Sequence, residues 1–381
     1  MTVTFPFRID PGTAALALDR ARKVTATVPW FAHTSAFAPR PHNVIHPLIN
    51  GERAFGAVEA ALLAATQSID IISWGFDPSM RLTRPGGRRL GDILHAKAKA
   101  GVHVRVLIWK DLLAQFVENN MPGDGFSGRG GGSAGLGSGI GSTSAGATGS
   151  AGKDEYNDYG RGASAGNSGA LERGDDEMRA YNRQWYKTVV ENLSFRTRSI
   201  GFIDGYKLDK DFRRRYGFKP VQALAIGAGP SHHQKMILAD YALPDRATGF
   251  VMGHNLLRNY WDTDDHPFES TLRDGFKPWH DLSTRVYGPI LNDLKRSFED
   301  AWEKAETVWN LSQWITEPPV AKPLPAEVFA RPALRRGKGE MAQICRTLGL
   351  EERSIRDIYH LTLANARVYV YVENHYCRYK P

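Results

Sequence analysis

From Pro47 onward the sequence alternates between helical and strand-like periods, and that alternation restricts it to folds in which helices cover a sheet. Helical spacing of apolar residues runs from Glu52 to Thr66, and a strand run follows at Ile69 to Phe76. A second helix spans Leu90 to Ala100, closed by Gly101, and a second strand covers Val102 to Trp109. Further along, the pattern predicts a helix over Met178 to Asn192 and strands at Val221 to Gly227, Lys235 to Ala239, Gly249 to Val251 and Leu282 to Tyr287. Pro289 suits the first turn of a long amphipathic helix reaching to about Trp309, the natural cover for the sheet. The expectation is a mixed α/β fold.

Composition marks the boundaries between these blocks. Residues 1–43 are rich in Pro and Ala without a clear period and read as an N-terminal extension. Nearly half of the 38 glycines fall between residues 123 and 170, with Ser and Ala filling the gaps. The segment 123–176 is too poor in apolar residues to build a core and reads as a disordered insert. It also lacks the Lys and Ser/Thr spacing of a phosphate-cradling loop. Residues 313–339, with Pro318, Pro319, Pro323, Pro325 and Pro332, read as a semi-rigid linker. Beyond it, a helix from Ile355 to Ala366 and a strand from Val368 to Glu373 echo the helix-strand order of Ala57 to Phe76.

One short motif carries chemistry. His233, Lys235 and Asp240 form His-x-Lys-x4-Asp, which occurs once and by composition would arise by chance roughly 0.03 times. In a strand, residues two apart share a face, so His233 and Lys235 point together, a nucleophile beside a phosphate-binding cation. Asp240 lies five positions beyond Lys235, faces the other way, and is expected to anchor local structure. His95 and Lys97 share the His-x-Lys spacing but lie in a helical pattern, where such residues do not face each other, and read as a solvated face. Attack on phosphorus needs a nucleophile and a second group to protonate the departing oxygen, so a single copy suggests half a site.

A net charge of +8 favours an anionic partner, whether phospholipid surface, nucleic acid or phosphorylated small molecule. Cys345 and Cys377 have neither zinc-like spacing nor disulfide density, so two free thiols and no metal site are expected. The N-terminus lacks a basic stretch followed by an apolar core, and no run approaches the about 18 apolar residues of a membrane span. No signal peptide is therefore read, and synthesis in the cytoplasm is expected.

Several separate segments resemble the phospholipase D superfamily, whose members carry two His-x-Lys-x4-Asp motifs in a pseudo-symmetric pair of α/β halves. They are Ile69 to Phe76, Gly101 to Trp109, His233 to Asp240, Gly253-His254-Asn255 with Tyr260-Trp261-Asp262, and Pro278-Trp279-His280-Asp281 before Val286 to Pro289. Val370 to Tyr376 is similar to the segment that opens the second half. The resemblance thus implies a phospholipase D-like mixed sheet flanked by helices, with a complete catalytic half over 44–312 and the start of a truncated second half over 340–381. Within the superfamily the chain resembles the N-terminal half of bacterial type VI secretion phospholipase D effectors.

What the resemblance implies for the site is a catalytic set of His233, Lys235, Asp240, Asn255 and Asp281. His233 attacks the phosphodiester phosphorus to give a phosphohistidine, Lys235 and Asn255 bind the nonbridging oxygens, and Asp281 accepts the other N–H of His233. A five-coordinate phosphorane carries extra negative charge, so a fixed ammonium and amide stabilise the transition state more than the ground state. Lys235, Asn255, Gly253, His280 and Trp279 form the expected substrate-binding set, Gly253 where backbone must approach another group closely. No cofactor or metal is implied.

His232 and His254 alternate away from His233 and Asn255 and read as structural, while His266 and His280 lie in loop-like segments able to line the pocket. Tyr260, Trp261 and Trp279 suit an acyl chain or a base, with core packing the favoured reading. Arg213 to Arg215, and Arg335, Arg336 and Lys338, read as solvated faces open to anionic headgroups. Three functions stay open: a phospholipase, preferred and implied as a secreted antibacterial effector; a nuclease active as a homodimer; and a noncatalytic half that binds phosphate or lipid. The corresponding partners are a phospholipid membrane surface, a second half or homodimer, a secretion apparatus with an immunity protein, and, less favoured, nucleic acid.

Overall fold

The computed structural model describes residues 3–5, 24–26, 30–109, 120–123, 168–198, 232–307, 339–348 and 352–373. The chain divides into two compact units, one of residues 42–340 and one of residues 1–41 with 341–381. In the smaller unit, β1 (Val3–Phe5) pairs antiparallel with β2 (Val24–Ala26).

The larger unit begins with β3 (Arg40–Ile49), α1 (Asn50–Ala64), β4 (Ser68–Ser73), α2 (Leu90–Lys99) and β5 (His103–Trp109). It continues with α3 (Ser168–Lys187), β6 (Leu193–Arg198), β7 (Met236–Ala239), β8 (Thr248–Val251), β9 (Leu282–Tyr287), α4 (Ile290–Glu303) and β10 (Glu306–Thr307). Its strands lie in the order β10-β6-β5-β4-β7-β8-β9-β3. The run β6-β5-β4 is parallel and every other pairing is antiparallel, so the sheet is mixed.

Side-chain alternation sets the two faces. Ile69 and Ile71 of β4, with Val104, Val106 and Ile108 of β5, enter the main core beside Phe55, Val58 and Leu62 of α1 and Ile93 and Leu94 of α2. The intervening residues Asp70 and Arg105 point to the opposite face, under α4. There Arg105 Nε donates to Asp70 Oδ1 at 2.7 Å and its Nη1 and Nη2 donate to Glu299 at 3.1 and 2.9 Å. Lys295 Nζ closes the ring to Asp70 at 2.8 Å and Glu299 at 2.9 Å. The two cations hold the Asp70 carboxyl below its ordinary range against the opposing effect of burial.

Several boundaries differ from the sequence reading. Strand β3 starts inside the segment assigned to the extension and crosses its boundary at residue 43; Pro41 and Pro47 obscure its signature, yet it pairs with β9 from Val44↔Tyr287 to Ile49↔Leu282. Helix α3 begins at Ser168, inside the supposed insert, and is anchored by buried Met178, Asn182 and Trp185. Helix α4 stops at Glu303 instead of near Trp309, because Glu306 and Thr307 leave it to pair with β6. His95 and Lys97 are not a solvated face: His95 stacks on Trp185 at 5.0 Å, and Lys97 Nζ donates to the Ala65 carbonyl at 2.8 Å.

In the smaller unit, β11 (Glu340–Ala342) is followed by β12 (Thr347–Leu348), β13 (Glu352–Arg353) and α5 (Ser354–Asn365). Val368 to Glu373 does not form the predicted strand. Val368, Tyr369 and Tyr371 are 90%, 81% and 77% exposed, and strand-like alternation without a neighbouring strand to bond cannot satisfy an extended backbone. The bulk of the insert (124–167), the predicted strand Val221 to Gly227, Arg213 to Arg215, the linker up to residue 338, and Cys377 lie outside the described residues.

The ring of charges under α4 makes a direct prediction. Replacing Arg105 by Met strands Asp70 and Glu299 against one remaining cation, and urea denaturation is expected to show a loss of about 3–5 kcal/mol.

Candidate active site

The chain reaches the motif as an extended segment, residues 232–235, leading into β7. Because β7 pairs with β4 from Met236↔Ile72 to Ala239↔Ile69, the segment emerges beside the C-terminal end of β4, next to Trp74 and Gly75. The extended spacing leaves His233 and Lys235 on one side. Lys235 Nζ lies 3.2 Å from Nδ1 and 3.3 Å from Nε2 of His233, and donates to the His233 carbonyl at 3.2 Å. Lys235 is buried, whereas His233 is exposed at one edge and packs edge-on against Trp74 at 6.1 Å.

The electrostatics favour a neutral imidazole beside a cation. Partial burial, and then the Lys235 charge, push the His233 pKa down to about 4, with Asp281 opposing. Burial lowers Lys235 to about 8, again opposed by Asp281, so it stays mostly charged at neutral pH. Asp281 is thus the anion felt by both motif side chains. Its Oδ1 accepts the Leu282 N–H at 2.8 Å, and no hydrogen bond from His233 to Asp281 is formed among the described residues. Gly253 is what lets Asp281 sit there: a Cβ at Gly253 would overlap Asp281 Oδ1 and the Leu282 carbonyl oxygen.

Asn255 is fully buried, with Oδ1 accepting the Gly75 N–H at 3.2 Å and the Ser73 hydroxyl at 3.5 Å. Those donors fix which end of the amide is oxygen, leaving Nδ2 as a donor with no partner among the described residues. A buried amide held this way is suited to a phosphate oxygen.

Asp240 takes the anchoring position. It is 2% exposed, and its carboxylate accepts the N–H of Thr66 at 2.9 Å, Gln67 at 2.7 Å and Ser68 at 3.2 Å, while its own N–H donates to the Ser68 carbonyl at 2.8 Å. Its φ of 50° lies in the left-handed region, which these bonds support. The third motif residue therefore contacts the α1–β4 turn and not the side that His233 and Lys235 share.

His280 is exposed, and Trp279 is half-buried with its ring 4.6 Å from Tyr260. Trp261 is core, its Nε1 donating to the Leu82 carbonyl at 3.1 Å. His232 and His254 are buried, their pKa values pushed down by burial to about 3 and about 4. His254 Nδ1 bonds Ser283 Oγ at 2.7 Å, and that hydroxyl also accepts the Gly253 N–H at 3.2 Å. Sequence reasoning missed Asn120, whose Nδ2 donates to the carbonyls of Trp74 at 2.8 Å and Trp109 at 2.7 Å, clipping the ends of β4 and β5 together beside the site. It also missed Asn50, which is distant in sequence, and gave no role to Asp262, which it named only within a resembling segment. Among the described residues no His, Cys, Asp and Glu group is arranged to hold a metal, and no helix is long and apolar enough to cross a membrane.

No family model matches the chain. Phospholipase D alpha 1 of Oryza sativa subsp. japonica is 29% identical over 203 residues, covering 41% of this chain and 25% of that protein. Phospholipase D alpha 1 of Arabidopsis thaliana is 28% identical over 213 residues with the same coverage. The chain spans about a quarter of the length of these relatives. Among solved structures, Nuc from Salmonella typhimurium, a phospholipase D family member, aligns at a TM-score of 0.32 and 11% identity over 70% of this chain and 99% of that one.

Two expectations follow from this geometry. Asp240→Ala orphans the turn N–H groups and is expected to cost about 2–4 kcal/mol of stability by denaturant titration. Where turnover is measured, kcat/KM is expected to fall above pH 8 as Lys235 loses its proton and with it the positive charge beside His233. Lys235→Arg, which stays charged, moves that alkaline limb upward.

Proposed function

We propose that this chain, a member of the phospholipase D superfamily, is a phosphodiesterase that hydrolyses glycerophospholipids through a phosphohistidine at His233. The observation that carries the reading is the placement of the Lys235 ammonium 3.2 Å from a His233 imidazole kept neutral at physiological pH. A neutral ring nitrogen attacks phosphorus, and charge developing on the nonbridging oxygens meets Lys235 and the spare Asn255 amide. The Asp281 carboxylate, which acts on both motif side chains, steadies the positive charge that His233 gains as its N–P bond forms.

The lipid substrate is supported by the names of the plant relatives and by a net charge of +8, which favours an anionic bilayer surface. An antibacterial role at a target-cell membrane is the matching biological reading and rests on the sequence resemblance to secreted effectors. In the superfamily that the chain resembles, the departing oxygen takes its proton from a second motif; this sequence carries a single copy of the motif.

The test is headgroup release from phosphatidylcholine and phosphatidylethanolamine vesicles, run beside nucleotide release from single-stranded DNA. Lipid turnover is expected, and His233→Ala is expected to lower it on the order of 10³-fold or more. DNA cleavage without lipid turnover assigns the site to a nuclease. Undiminished turnover in the His233 variant removes the nucleophile assignment.

A further inference from the structure

A histidine that attacks phosphorus through a ring nitrogen must be held in one orientation, and a carboxylate bonded to its other nitrogen is the common way to hold it. At His233 that bond is not formed among the described residues, and Asp281 Oδ1 instead accepts the Leu282 N–H at 2.8 Å. Lys235 does not replace it. Its Nζ lies 3.2 Å from Nδ1 and 3.3 Å from Nε2, so the ammonium is shared between the two nitrogens and selects neither. The imidazole also meets the indole of Trp74, with ring centroids 6.1 Å apart and planes at 62°, the separation and tilt of an edge-to-face aromatic pair.

Trp74 is itself held from several sides. Its ring stacks on Trp109 at 5.6 Å with the planes 15° apart. Trp74, Trp109 and Leu257 form a small buried cluster apart from the main core, with Tyr260 packed against it. A Cβ at Gly75 would overlap the Leu257 side chain, so glycine there lets Leu257 complete the cluster. The backbone is tied as well: Asn120 Nδ2 donates to the Trp74 carbonyl at 2.8 Å and the Trp109 carbonyl at 2.7 Å, and the Asn120 carbonyl accepts the Phe76 N–H at 2.7 Å. The Gly75 N–H donates to Asn255 Oδ1 at 3.2 Å. Because β4 and β5 are parallel, both tryptophans stand at the same end of the sheet, where the segment carrying His233 leads into β7.

We propose that Trp74 positions the His233 imidazole for attack on phosphorus, with Trp109 and Asn120 holding the indole in place; this rests on the phosphodiesterase reading. A ring packed against a fixed indole gives up rotation about its Cβ–Cγ bond, and a nucleophile so restricted starts near the geometry of attack. The indole touches the histidine, so its removal is felt in the chemical step more than in substrate binding. It also supplies part of the burial that keeps His233 neutral.

The test uses dibutyrylphosphatidylcholine, a soluble phospholipid, with choline release as the readout. Trp74→Leu, which refills much of the indole volume without a ring, is expected to lower kcat about 10²-fold and to leave KM within about threefold of wild type. Trp74→Phe, which keeps an aromatic contact, is expected to stay within about fivefold of wild type in kcat. Trp74→Ala bares the imidazole, so the His233 pKa rises toward the ordinary histidine value, and the acid limb of kcat/KM, where the neutral nucleophile is lost, moves up from about 4. Wild-type kcat in Trp74→Leu, a loss carried by KM, a Trp74→Phe enzyme no better than Trp74→Leu, or an unmoved acid limb in Trp74→Ala overturns the Trp74 assignment and leaves the His233 reading standing. Where wild type cleaves only single-stranded DNA, the same variants are read on nucleotide release. A wild type that releases neither choline nor nucleotide removes the phosphodiesterase reading, and this inference with it.

Discussion

The carboxylate of Asp240 is the constraint on which the placement of the site depends. It gathers the backbone N–H groups of Thr66, Gln67 and Ser68, and its own N–H returns to Ser68, so the end of β7 is tied to the start of β4. Because β7 runs antiparallel to β4, tying one end fixes where the other end emerges. That other end carries Lys235 and, just before it, His233. A slip of one residue would turn Lys235 to the opposite face.

The two faces of the sheet use charge differently. Under α4, Asp70, Arg105, Lys295 and Glu299 neutralise one another in a closed ring, which ties the helix to the centre of the sheet. At the C-terminal end of β4, charge is left unbalanced on purpose of geometry: Lys235 is buried, and its carboxylate counterpart Asp281 sits against Gly253 without pairing with it among the described residues. A buried ammonium lacking a hydrogen-bonded carboxylate is chemically suited to an anionic group. The Asn255 amide, satisfied at oxygen and open at nitrogen, adds a neutral donor to the same task.

Much of the fold was legible because β4, β5 and β9 are apolar or alternating enough to announce themselves, and α1 and α2 carry clean helical periods. What the pattern hid has physical causes. Pro41 and Pro47 masked β3, whose hydrogen bonds to β9 do not require a proline-free strand. Trp309 fell outside α4 because pairing at Glu306 and Thr307 outweighs continued helical period. Val368 to Glu373 has an ideal strand alphabet and no strand, since alternation describes side chains while a strand is made by a neighbour.

The sequence by itself determined the mixed α/β class, the motif, and the shared side of His233 and Lys235, because an extended backbone puts every second residue on one face whatever surrounds it. The tertiary structure decided which groups join them. Asn50 and His280 are brought together, as are Asp262 with His266, and Gly253 with Asp281, by strand pairing and loop closure between segments whose spacing in sequence carries no period. Local geometry is written in neighbouring residues; the protonation and partners of a site depend on burial and on distant charges, which exist only once the chain has closed.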